Sequence, residues 1–288
     1  IRTPSDIRVD KLVQSKWSQS TVSGGGLFSS KKNVYNYYTP NNYVCGCVAT
    51  AMAQIMRYHQ FPTASMPQFS NPYCRVGTND TELTSLGGTY DWANMPLSPG
   101  SSIKTDQQKA IGKLCYDAGV AVSMSYKSSG SGSNVFIVPH AFVNRFGYRG
   151  AMGSLWSDGN SSVSLERTRR AMITNFDAGL PIEIGITGDG GHAIVADGYG
   201  YSSGSFCCHL NFGWSGTDDG WYIPPDLGDY NLIDELAYNI FPTQDPTCAI
   251  VSGRVLSSSG SVASGLGKGS VSAAFRPGAE IRSVSRRA

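Results

Sequence analysis

Along the first two thirds of the chain, apolar residues recur at helical spacing. Along the last third they alternate or run together, as strands do. Segment 45–60 is the clearest helix: Ala49, Met52, Ala53 and Met56 share a face, and Pro62 follows its end. A second helix is predicted over 106–118, with Ile111, Leu114, Cys115 and Ala118 inward and Gly119 as its stop. The apolar run 134–147 is interrupted by Pro139. A third helix is predicted over 164–178 from Leu165, Met172, Ile173 and Phe176, with Gly179 beyond its end. Residues 11–20 read as an extended or turn segment leading into Ser23-Gly24-Gly25-Gly26, and 63–105 read as long loops. From 181 onward come PIEIGIT, HAIVADGY, FCCHLNF, GWYIPP and ELAYNIF, separated by Gly-rich turns that suit antiparallel strands. Helices first and strands later predict an α+β fold, with a cleft between its helical and sheet halves as the default site.

Composition narrows the function classes. A chain of 288 residues can bury a large core without cross-links. Charged residues make up 15% and the net charge is +2, which argues against a nucleic-acid binder, since that would need a basic stripe. No apolar run approaches the roughly 18 residues of a membrane span, and the opening IRTPSDIRVD has no secretory leader. The net excess of positive charge is confined to the end: residues 251–288 hold Arg254, Lys268, Arg276, Arg282, Arg286 and Arg287 against a single acid, Glu280. That segment has one aromatic, Phe275, and cannot build a core alone. A boundary is therefore placed near Asp245–Cys248, dividing a body (1–244) from a tail (245–288). Low charge and abundant Gly, Ser, Asn and Tyr suit an exported protein.

Seven cysteines (Cys45, Cys47, Cys74, Cys115, Cys207, Cys208 and Cys248) leave at least one unpaired within the chain. Their spacing lacks the C-x-x-C pairs of a zinc site, and no metal or other cofactor is expected. Cys47 stands out, because a Gly-containing loop runs into the first helical turn there. Free N–H groups and the helix dipole favour a thiolate at that place. A buried thiol, or a disulfide with Cys45, is the competing reading.

Of the four histidines, His59 ends the same helix about three turns away, where capping or packing is its role. His140 sits beside Pro139 in an apolar stretch and reads as a core histidine. His192 opens an apolar strand behind Gly190-Gly191, which lets a substrate backbone approach. His209, sharing a strand face with Asn211, is the reserve. Asn211 is expected to set its amide against the His192 ring and fix the tautomer, with Phe212-Gly213-Trp214 as an aromatic cover. Gln19 and the Cys47 N–H are the candidate oxyanion donors.

Taken together, KWSQ (16–19), CGCVATAMAQIMRYHQFP (45–62), TYDWANMP (89–96), LCYDAGVAVSMSY (114–126), SGSGS (129–133), RFGY (145–148), GGHAIVADGY (190–199) and CHLNFGWSGTDDGWY (208–222) closely resemble the streptopain family of bacterial papain-like cysteine peptidases. They occur in the family's order and span about residues 10–243. The resemblance implies a papain-like two-part fold. It assigns Cys47 as nucleophile, His192 as base and acid, Gln19 in the oxyanion hole, and Asn211 beside the aromatic that positions the histidine. Ser129, Ser131, Gly191 and Trp214 match groove-lining positions. The sequence departs from the family at Phe212, where a Trp usually follows the Asn, and an indole N–H donor is lost.

The family is exported as a zymogen whose inhibitory propeptide is removed, and this chain resembles the mature part. The tail from Ala249 resembles the opening strand of a small β-sandwich appendage; a disordered tail is the alternative. The expected partners are protein or peptide substrates and a propeptide or inhibitor protein, without nucleic acid or a membrane span. Pairing with His192 is expected to lower the Cys47 thiol from about 8.5 to well below 7. Oxidation linking Cys45 to the nucleophile would make activity depend on reductant. Competing functions are an inactive peptidase-fold adhesin, and an acyltransferase or amidase using the same dyad.

Overall fold

The computed structural model describes residues 3–23, 31–155 and 162–243, together with the short strands Ile250–Val251 and Ala273–Ala274. The described helices are α1 (Cys47–His59), α2 (Thr105–Ala121), α3 (Val138–Phe146) and α4 (Ser162–Asp177). The principal sheet is antiparallel and seven-stranded. It comprises β1 (Asp6–Val9), β2 (Gly150–Leu155), β3 (Ile182–Gly188), β4 (Gly191–Ser202), β5 (Ser205–Asn211), β6 (Gly220–Tyr222) and β7 (Tyr230–Phe241). The strand order is β6-β5-β4-β3-β7-β2, and β1 pairs with the far end of β4, beyond the reach of β3.

Side-chain alternation along the central strands builds two cores. Ala193 and Val195 of β4, with Ala237 and Ile240 of β7, face α1, α2 and α3. Ile182, Ile184 and Ile186 of β3, with Ile194 and Leu210, face Met172 and Phe176 of α4. Helix α1 lies deepest, with every residue from Val48 to Met56 buried. Side chains such as Met52, Ile55 and Met56 contribute roughly 1.5–3 kcal/mol each by leaving water.

The α+β expectation is met, with differences that have local causes. Gly119 does not stop α2 but lies inside it, because a Cβ there would collide with the Tyr126 hydroxyl. Pro139 does not interrupt a helix: a 3₁₀ turn (Val135–Ile137) precedes it and Pro139 occupies the first turn of α3, where a missing N–H costs nothing. GWYIPP contributes only three residues to the sheet, since Pro224 and Pro225 lack donors. The strands β1 and β2 went unpredicted. β2 carries exposed Met152 and Leu155 and two glycines, and so shows no inward apolar face.

His140 is exposed rather than core, its position on α3 facing solvent while Ala141 and Phe142 turn inward. Of the expected Ser23–Gly26 link, Gly24–Gly26 lie outside the described residues. So does most of the tail, of which Ile250–Val251 pairs antiparallel with Ala273–Ala274.

The N-terminal segment is a strap joining the halves. Leu12 and Val13 donate to Asp197 of β4, at its carbonyl (3.1 Å) and its Oδ2 (2.7 Å). Further on, Lys16 N–H donates to the Leu97 carbonyl (2.7 Å) and the Trp17 indole to the Pro96 carbonyl (3.0 Å). The strap ends at Gln19, whose carbonyl accepts the Cys45 N–H at 2.8 Å.

Candidate active site

Cys47 is the first residue of α1, so its sulfur sits among the unpaired N–H groups of the first turn. The chain enters through Gly46 at φ +91°; a Cβ there would strike the Met124 side chain and approach the Ser131 carbonyl to 3.0 Å. The glycine therefore brings the Ser/Gly loop against the nucleophile's approach. The backbone N–H of Ala193, together with those of Val48 and Cys47, favours the thiolate, but desolvation outweighs them and pushes the thiol up, with the Glu183 carboxyl adding to the rise.

His192 is buried, and its Nε2 lies 2.8 Å from the Phe212 carbonyl. A carbonyl only accepts, so Nε2 carries the proton and Nδ1 is left as the basic nitrogen. Burial lowers the imidazole's pKa, and the Phe212 carbonyl partly opposes this. Burial thus drives thiol and imidazole toward their neutral forms at rest. The expected low thiol pKa rests on pairing with His192; no hydrogen bond joins Sγ to the ring here, and burial opposes the thiolate. Such contacts commonly tighten only when substrate binds.

The aromatic cover is assembled differently from the sequence reading. Trp214 stacks on His192 at 4.7 Å and 21°, while Phe212 lies further off at 6.2 Å. Tyr230, which sequence reasoning missed, stacks at 6.0 Å and also lies within electrostatic reach of Cys47. It starts β7, directly opposite Gly188 on β3, a pairing that only the sheet register reveals. Behind these rings is a cavity of about 640 Å³ walled by Trp221, Tyr222 and three carboxylates, Asp218, Asp226 and Asp229.

Asn211 does not place its amide on the imidazole. Its Nδ2 donates to the Ser15 carbonyl (2.8 Å), and its Oδ1 accepts from Gln54 Nε2 (2.9 Å) and Gly213 N–H (3.1 Å). The residue expected to touch the ring is committed elsewhere, and the next residue's carbonyl takes its place. Phe212 N–H in turn donates to Asp219 Oδ1 at 2.8 Å; burial raises that carboxyl to about 6.

Gln19 is half-buried, and its side-chain amide makes no hydrogen bond within the described residues. Ser131 is buried with its Oγ accepting from Lys127 N–H (3.1 Å), whereas Ser129 is exposed. Around Gly191 a Cβ would meet only open space.

The other histidines are occupied away from the thiol. His59 packs edge-on to Tyr58, and burial holds it neutral, at about 3. His209 pairs with buried Asp197 at 2.6 Å. Cys45 turns from the nucleophile: its sulfur contacts Thr50 Oγ1 at 3.2 Å and lies beside Cys115, so this structure gives no geometry for a Cys45–Cys47 link. The six described cysteines are free thiols. Among the described residues no group of His, Cys, Asp and Glu could hold a metal ion, and no helix is long and apolar enough to cross a membrane.

Residues 30–222 match the model of the Peptidase C10 family. The chain belongs to that family. Similar proteins include streptopain of Streptococcus pyogenes, 28% identical over 225 residues, covering 71% of this chain and 55% of that protein. Another is the thiol protease/hemagglutinin PrtT of Porphyromonas gingivalis, 29% identical over 227 residues, covering 72% of this chain and 24% of that protein. The chain thus spans about half, or less, of these relatives' own length. The solved structure of interpain A cysteine protease from Prevotella intermedia superimposes with a TM-score of 0.67 at 24% identity, over 84% of this chain and 99% of that one. The C10 fold accordingly accounts for the helical and sheet halves seen here.

Proposed function

We propose that this C10-family chain is a cysteine endopeptidase that hydrolyses peptide bonds through a Cys47 thioester. The observation that carries the reading is the fixed tautomer of His192: the Phe212 carbonyl holds Nε2–H, and Nδ1 stays free to take the thiol proton. The Ala193 N–H, from the residue after His192, reaches the same sulfur. In the proposed sequence, substrate binding tightens the contact between thiol and ring, and the Cys47 proton passes to Nδ1. The thiolate adds to the scissile carbonyl, and the oxyanion is held by the Cys47 N–H and the free amide of Gln19. His192 then protonates the leaving amine and afterwards takes a proton from the water that cleaves the thioester. Trp214 shields the imidazolium that forms, and the open space at Gly191 admits the substrate backbone. Ser131, whose carbonyl lies close to Gly46, lines the groove, with Ser129 on its exposed rim.

The reading extends to export from a bacterial cell, a zymogen form with a propeptide, and a tail beyond about residue 245 that is separate from the catalytic body. Support for the zymogen comes from a solved fragment of prointerpain A that shares the fold at a TM-score of 0.63.

Degradation of an unfolded protein under reductant, compared with Cys47→Ala, tests the function. Loss of cleavage in the variant is expected. Equal cleavage by both would remove Cys47 from the mechanism. Silence from both, with retained binding to a protein ligand, would favour an inactive peptidase-fold adhesin. A coupled product in place of a free acid would favour the transferase.

A further inference from the structure

Helix α1 is buried along its whole middle, and one residue there, Gln54, is a fully buried amide among apolar neighbours. Burying an amide is costly unless each of its groups is paired. Here Oε1 accepts from Ser15 Oγ (2.8 Å) and Trp17 N–H (3.3 Å), and Nε2 donates to Asn211 Oδ1 (2.9 Å). Gln54 thus contacts the strap and the end of β5 at once. Asn211 Oδ1 also accepts the Gly213 N–H (3.1 Å). That N–H belongs to the same peptide group as the Phe212 carbonyl, which receives His192 Nε2–H at 2.8 Å. Gly213 turns at φ +67°, and a Cβ there would press on Thr50 Cγ2 at 3.1 Å. The peptide is thereby seated directly on α1, the helix that carries Cys47.

We propose that Gln54 is a positioning residue for His192, acting through Asn211 and the Phe212–Gly213 peptide. Cys47 and Gln54 lie two turns apart on one rigid helix, so the nucleophile and the anchor of its base share one frame. Without the anchor the peptide can rotate, its carbonyl leaves Nε2, and the tautomer that frees Nδ1 is no longer enforced. The Gln54 amide provides the acceptor for the strap and the donor for Asn211 together, and Met at this position provides neither. The inference rests on the peptidase reading of Cys47 and His192.

The test compares wild type, Cys47→Ala, Gln54→Met, Asn211→Asp and Asn211→Leu for kcat, KM and the pH profile of kcat/KM. The folded fraction is measured by circular dichroism. For Gln54→Met, kcat is expected to fall on the order of 10- to 100-fold with KM little changed, because misplacing a catalytic group by about 1 Å has that effect. The limb of the profile belonging to His192 should shift, and the His192 Nε2–H resonance should broaden. Asn211→Asp keeps the Oδ1 acceptor for both N–H groups, and with its second oxygen protonated it can still donate to the Ser15 carbonyl, so at low pH it should retain more of kcat than Asn211→Leu. If Gln54→Met does not fold, the two Asn211 variants decide by the same measurements. A folded Gln54→Met with wild-type kcat and profile, or one whose losses only track unfolding, overturns the inference while the peptidase reading stands. Equal cleavage by wild type and Cys47→Ala would overturn that reading, and this inference with it.

Discussion

Glu183 is the residue least expected where it stands. Along β3, Ile182, Ile184 and Ile186 face the α4 core, so the two-residue period turns Glu183 toward α1, opposite Val195 and Ala237. Neither carboxyl oxygen has a partner among the described residues, and burial, with Glu235 adding to it, pushes the group well above the usual carboxylate range. Glu183 is therefore protonated in the fold while the unfolded chain ionises from about 4.5 upward. The unfolded state then binds fewer protons, and stability falls as pH rises through that window toward the raised folded value. Glu183→Met should stabilise the protein by about 1–3 kcal/mol, the usual cost of an unsatisfied buried polar group. Its advantage in Tm should be larger at pH 8 than at pH 5. An equal Tm gain at both values would mean the carboxyl is not held neutral.

At the scale of elements, the junction of the Ser/Gly loop with α1 decides where the proposed nucleophile, Cys47, sits. Gly46 combines a left-handed φ with backbone and side-chain neighbours that exclude a Cβ. Gly46→Ala should cost about 1–3 kcal/mol from backbone strain alone and displace Met124 or the Ser131 carbonyl. Urea unfolding and kcat/KM measured together should show activity falling further than stability; an unchanged kcat/KM would mean that loop and helix move independently.

The elements themselves were largely legible in the sequence. Helix α1 announced itself by period and by Pro62, and β3, β4, β5 and β7 by apolar runs between glycines. Cys47 and His192 stood out as candidates because their surroundings were unusual: a glycine loop running into a helix, and two glycines before an apolar strand. What was not legible depends on register. Asn211 and Phe212 are adjacent, and only the fold decides that the side chain of one is spent on Gln54 and Ser15 while the carbonyl of the other meets the imidazole. Tyr230 and Gln54 gave no local signal, since an exposed-looking Tyr and a mid-helix Gln are ordinary until their partners are placed.

At the scale of the whole molecule, the proposed nucleophile and base come from different halves, Cys47 from α1 and His192 from β4, so their separation depends on what holds the halves in register. The strap does this from outside. It enters as β1 on the sheet, is fixed by Asp197, crosses to the helical half at Lys16 and Trp17, and ends beside the α1 N-terminus at Gln19. Asp197 is the common anchor, since its carboxylate takes the Val13 N–H on one oxygen and His209 Nδ1 on the other. Asp197→Ala leaves His209 and the Val13 N–H unpaired in the interior. Removing one partner of a buried pair costs about 3–5 kcal/mol, which for a body of this size corresponds to a Tm lower by about 6–20 °C. Hydrogen exchange should accelerate at residues 12–17 before it does in α1, and kcat should fall at temperatures where α1 remains protected. Were the strap only a covering, exchange would rise there while kcat stayed constant. A joint loss would tie the geometry of the proposed dyad to a segment that touches neither of its side chains, and make residues 6–19 part of the working enzyme.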